Sequence, residues 1–66
     1  MKIAIKIKND RALVIWAGNN YPFVVCVLDH FGSKPGDEIA HWYHGTYFLT
    51  IEEALECFNE RGRQYE

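Results

Sequence analysis

Serine occurs once in this 66-residue chain, as Ser33, and cysteine twice, as Cys26 and Cys57. Nucleophilic catalysis therefore has little to work with. Ser33 lies in Phe31-Gly32-Ser33-Lys34-Pro35-Gly36, which lacks P-loop spacing and is not followed by a helix pattern. It reads as a solvated Gly/Pro loop. Asp37 and Glu38 are adjacent, so their carboxylates point to different sides and make a poor acid–base pair. Two cysteines are too few for a disulfide framework. CxxC, HxH and HExxH patterns are all absent. His41 and His44, with His30, Cys26 and Cys57, are the only metal-ligand candidates. In a strand, His41 and His44 would face opposite ways, a poor arrangement for one ion. We expect no metal, no cofactor and no enzymatic activity. Both cysteines sit in apolar surroundings and read as small core residues. A Cys26–Cys57 bridge is geometrically open at this stage, although a reducing cytosol disfavours it.

Long apolar runs and a signal peptide are also missing. The longest runs, Ala12 to Ala17 and Phe23 to Leu28, are far too short to span a membrane. A soluble cytoplasmic protein is the plain expectation. At 48% apolar and 15% aromatic, the chain is too rich for disorder and should form one domain, residues 1–66, near the lower size limit for an independent core.

The most informative stretch is the last third. Thr50 and Glu53 have capping-box spacing, and Ile51, Ala54, Leu55 and Phe58 form one apolar stripe at helical period. Gly62 suits a left-handed C-cap. Upstream, Lys2 to Lys8 alternates, with Ile3, Ile5 and Ile7 on one face and Lys2, Ala4, Lys6 and Lys8 on the other. Asn9-Asp10 suits a two-residue turn into a second strand, Arg11 to Ala17. Phe23 to Leu28 is a third strand. Ile39 to His44 reads as a fourth, with Thr46 to Leu49 either a fifth or its continuation past Gly45, where a glycine suits a bulge. The fold class is α+β: a small antiparallel meander of four to five strands with one C-terminal helix packed on one face.

Strands two and three are apolar on both faces, and one helix covers only one. The far set, Val14, Trp16, Val24, Cys26 and Leu28, with Trp42, has two readings. It is a face for homodimerisation or for docking to a partner, or the Asp29–Glu38 loop, Tyr21 or the C-terminal tail folds over it.

Charge is uneven along the chain. Residues 1–17 sum to +3, residues 18–49 to −2 and residues 50–66 to −3, for a net charge of −2. Glu52, Glu56 and Glu60 recur every fourth residue, an acidic helix face that reads as a solvated surface or as one presented to a basic partner. Lys2, Lys6 and Lys8, with Trp16 on the Lys face and Trp42 or Tyr43 as candidates to join it, raise direct nucleic-acid binding, which the negative net charge and the lack of an RNP-type motif oppose.

Residues 45–63, Gly-Thr-Tyr-Phe-Leu-Thr-Ile-Glu-Glu-Ala-Leu-Glu-Cys-Phe-Asn-Glu-Arg-Gly-Arg, resemble an ending found in short phage and prophage proteins. There a final aromatic strand feeds a Thr-x-Glu-Glu-Ala-Leu helix. HicB-type antitoxins show a similar turn, but this chain has an extra apolar strand and no DNA-binding extension. In type it is similar to anti-CRISPR inhibitors, which are non-enzymatic and commonly block the nucleic-acid site of a Cas protein. That resemblance implies a phage or mobile-element inhibitor acting in a bacterial host cell on a nucleic-acid-binding protein. Glu52, Glu56 and Glu60, with Asp37 and Glu38, would then be its contact residues.

Overall fold

The structure, a computed structural model, describes residues 1–29 and 32–64, and of residues 60–64 only the course of the backbone. His30 and Phe31 lie outside that description. The elements are β1 (Lys2–Lys8), β2 (Arg11–Trp16), β3 (Phe23–Leu28), β4 (Trp42–Phe48) and α1 (Ile51–Gln64). The sheet is an antiparallel meander, β1-β2-β3-β4, with α1 packed across β2, β3 and β4. Asn9 takes the positive φ of 58° that the β1–β2 turn requires.

Both edge strands are bulged. Ile5 is an extra residue in β1, since Ala4 pairs with Val14 and Lys6 with Leu13. In β4, His44 and Gly45 together face Cys26, between the pairs Val25–Thr46 and Val27–Tyr43. A bulge reverses the alternation beyond it. The expected Ile3/Ile5/Ile7 face is accordingly wrong: Ile5 packs on the helix side, whereas Ile7 joins Ala4 on the other. The fourth strand also starts later than expected, at Trp42, and runs unbroken through Gly45 to Phe48.

The helix-side core contains Leu13, Val25, Ala54 and Phe58, flanked by Ile5, Phe23, Phe48, Leu55 and Cys57. Ile51, expected on the apolar stripe, is 37% exposed and takes no part in the helix-side core. Thr50 Oγ1 accepts the Glu53 amide at 3.3 Å, and its hydroxyl donates to Glu53 Oε1 at 3.0 Å. The carboxylate thus closes the cap on the Thr side chain rather than on its amide. α1 continues through Gly62 to Gln64, because glycine permits a left-handed cap without imposing one.

The opposite face is also core. Ala4, Ala12, Val14, Val24, Cys26, Leu28 and Ile39 are buried there, with Ile7, Trp16 and Trp42 packed against them. Its cover is the segment between β3 and β4. Lys34-Pro35-Gly36-Asp37 has the signature of a type II turn: Pro at the second position, Gly36 at φ 98°, and Asp37 N–H donating to Lys34 O. Asp37 Oδ2 also accepts the Lys34 amide at 2.8 Å. The turn docks on the outer edge of β1. Gly36 N–H donates to Ala4 O, Ala4 N–H to Asp37 O, and Ile39 N–H to Lys2 O, with Glu38 bridged to Ile3.

This docking defines the sheet's shape. Glu38 lies outside β1, four strand spacings or about 19 Å from β4 in a flat sheet. Three residues, Ile39 to His41, separate it from Trp42, and the four steps between them reach at most about 14 Å. The sheet must curl, concave on the Val14/Val24 side, and Ile39 fills the concavity. The open dimer face expected at Val14, Val24 and Cys26 is therefore absent. These three are at most 1% exposed within one chain, and only Trp16 and Trp42 of that set are half-exposed. Ile39, expected in a strand, belongs to this plug.

Candidate functional site

Cys26 and Cys57 lie on opposite sides of the sheet, which excludes the bridge that their sequence positions left open. Burial pushes the Cys26 thiol up to about 12, and its S–H points at Ala12 O, 3.8 Å away. A thiol so protonated at neutral pH is a packing group rather than a nucleophile. His41 and His44 are exposed, and His44 holds the bulge at φ 50°. Among the described residues, no three His, Cys, Asp or Glu side chains converge on one point.

The acidic residues do not form one surface. On α1, Glu52 and Glu56 are exposed one turn apart, turned away from Ala54 and Phe58, while Glu53 is engaged in the cap. The side chain of Glu60 lies outside the described residues. Asp37 and Glu38 belong to the plug at the outer edge of β1, whereas α1 packs across β2, β3 and β4. Asp37 braces the Pro35-Gly36 turn, and Glu38 sits on the β1 edge. They line an open hollow of about 430 Å³ with Asp29, Ser33 and His41. Ser33 there faces carboxylates, an electrostatic setting that repels phosphate. A smaller hollow of about 260 Å³ lies between β4 and α1, lined by Phe48, Glu53, Glu56 and Cys57.

A second constellation, only partly anticipated from the sequence, sits at the rim of the concave face. Trp16 and Trp42 meet edge to face at 5.8 Å, and Tyr47 lies 6.4 Å from Trp16. Trp42 Nε1–H donates a long hydrogen bond, 3.4 Å, to the Tyr47 hydroxyl. Five residues apart, Trp42 and Tyr47 would face opposite ways in a regular strand; the His44–Gly45 bulge puts them together. Trp42 lies against Gly45 so closely that an added Cβ would stand 2.8 Å from its Nε1. Lys2 completes the group, its Nζ 4.6 Å from the Trp16 ring and 5.4 Å from that of Trp42. Cation–π attraction of this kind contributes about 0.5–1 kcal/mol at an exposed site. The Lys2–Trp16 pairing follows from β1–β2 register; that Trp42 rather than Tyr43 joins it is decided by the bulge and the curl.

No family model, no curated protein and no solved structure matches this chain. Among the described residues, no helix is long and apolar enough to cross a membrane.

Proposed function

We propose that this chain is a non-catalytic binding protein that engages a nucleic-acid-binding protein of a bacterial host through the acidic face of α1. The observation that carries this reading is the exposure of Glu52 and Glu56, one turn apart, on the side of the helix that takes no part in the core. Like charges at that spacing weaken an isolated helix by a few tenths of a kcal/mol, so the pattern works against local stability. A basic partner surface would reverse that sign. The resemblance of residues 45–63 to phage protein endings, and of the whole to anti-CRISPR inhibitors, supports a mobile-element inhibitor that competes with nucleic acid, with a Cas protein as one kind of target. The contact set narrows to Glu52, Glu56 and Glu60, because Asp37 braces the Pro35-Gly36 turn and Glu38 sits at the outer edge of β1, away from the strands that α1 covers.

The test is capture from a bacterial lysate by the tagged chain at low and high salt. A basic nucleic-acid-binding protein that is released as salt rises supports the reading. Changing Glu52, Glu56 and Glu60 together to Gln should leave the fold intact and abolish capture. Capture that survives the triple change removes the acidic face from the mechanism. Recovery of nucleic acid itself would shift the function to the Lys2, Lys6, Lys8 and Arg11 hairpin.

A further inference from the structure

Among the described residues six large hydrophobic side chains are exposed, and four of them, Tyr43, Tyr47, Leu49 and Ile51, fall within nine residues. They run along β4 and the turn into α1. The two edges of the sheet are protected very differently. β1 carries Lys2, Lys6 and Lys8, and the segment around Glu38 is bonded to its outer side. β4, Trp-Tyr-His-Gly-Thr-Tyr-Phe, contains no charged residue and no proline, and among the described residues no strand or bridge pairs with its outer edge. Lysines, prolines and covering segments are the usual means of blocking edge-to-edge pairing; β4 has only its bulge.

We infer that β4 is the interface through which two copies of this chain associate, by antiparallel β4–β4 pairing about a two-fold axis. The occupant is a second copy because the edge is self-complementary. An uncharged strand meets its own image without opposing like charges, and reciprocal backbone pairing is what a two-fold axis supplies. β4 offers roughly 20 Å of edge in two extended arms on either side of the His44–Gly45 bulge, and Tyr43, Tyr47 and Leu49 supply apolar surface beside it. Such an axis stands normal to the joined sheet, so both α1 helices lie on one side and present Glu52 and Glu56 of each copy in the same direction. That last consequence rests on the acidic-face reading; the pairing does not.

Sedimentation velocity of the full chain from micromolar to submillimolar concentration tests the inference, with hydrogen exchange at both ends of the range. The expected result is a mass rising toward twice 7.7 kDa, with slower exchange confined to β4 amides at high concentration. Tyr43→Lys, at a position 59% exposed, should weaken association by about tenfold or more while far-UV circular dichroism stays unchanged. Leu49→Lys, at a position 61% exposed, repeats the test outside the strand if the first substitution disturbs the fold. A monomer throughout, or a dimer protected on β1 or α1 and indifferent to both substitutions, overturns the inference. A monomer that still captures its lysate partner overturns pairing alone, and a dimer that captures nothing overturns the acidic-face reading alone.

Discussion

The two faces of the sheet are both core, yet they are closed by opposite means. α1 covers the convex face with a regular, capped element whose buried side, Ala54, Leu55 and Phe58, recurs at helical period. The concave face is closed by an irregular segment that contributes one buried side chain, Ile39, and is held by backbone hydrogen bonds to the edge of β1. The difference teaches that a central strand apolar on both faces needs two covers but not two regular elements. Curling reduces the area that the second cover must fill. Small residues at Ala4 and Ala12 suit the tight side of such a curl.

The largest expected effect tests whether the faces are equivalent. Val24→Asp on the concave face and Val25→Asp on the convex face should each unfold the chain. Both valines are fully buried, and an unpaired carboxylate there costs several kcal/mol against a total stability of roughly 3–10 kcal/mol for this length. Circular dichroism and one-dimensional NMR of the two variants would show it. A folded Val24→Asp beside an unfolded Val25→Asp would break the parity and reopen the concave face as an interaction surface.

A milder pair weighs the covers themselves. Phe58→Ala should cost about 3–5 kcal/mol and Ile39→Ala about 2–5 kcal/mol in urea unfolding, since both side chains are nearly buried. An Ile39→Ala cost below about 1 kcal/mol would mean that the plug rests on the sheet without stabilising it. Smallest of the three, Gly45→Ala should cost about 1–3 kcal/mol, because the new methyl displaces the Trp42 indole. Its signature is spectroscopic. The chain's two tryptophans both lie in the concave cluster, so a shift in tryptophan emission reads that face alone.

Much of this molecule follows from local chemistry. Capping, helical period and the turn residues at Asn9 each act within a few positions, so the meander, α1 and the Ala54, Leu55 and Phe58 part of its stripe were legible in the sequence, whereas the Pro35-Gly36 turn read only as a solvated loop. Gly45 announced an irregularity, and the double-sided apolarity of β2 and β3 announced two covers. The candidate acidic face was legible for the same reason, since Glu52 and Glu56 lie outward once the stripe is known.

What only the tertiary structure decided depends on contacts between distant residues. The extra residue at Ile5 reverses a strand's faces, and nothing in an alternating Lys-Ile run marks where register will shift. The choice of the 32–41 segment over a second chain as the concave cover was open in the sequence. It is made by three backbone hydrogen bonds to β1 and by a curl that brings the sheet's two edges within reach of a three-residue connection. The same curl and the β4 bulge assemble Trp16, Trp42, Tyr47 and Lys2, and docking of the plug puts Asp37 and Glu38 at the outer edge of β1. Periodicity determines which residues share a face of one element; which elements share a side of the molecule is set by register and closure.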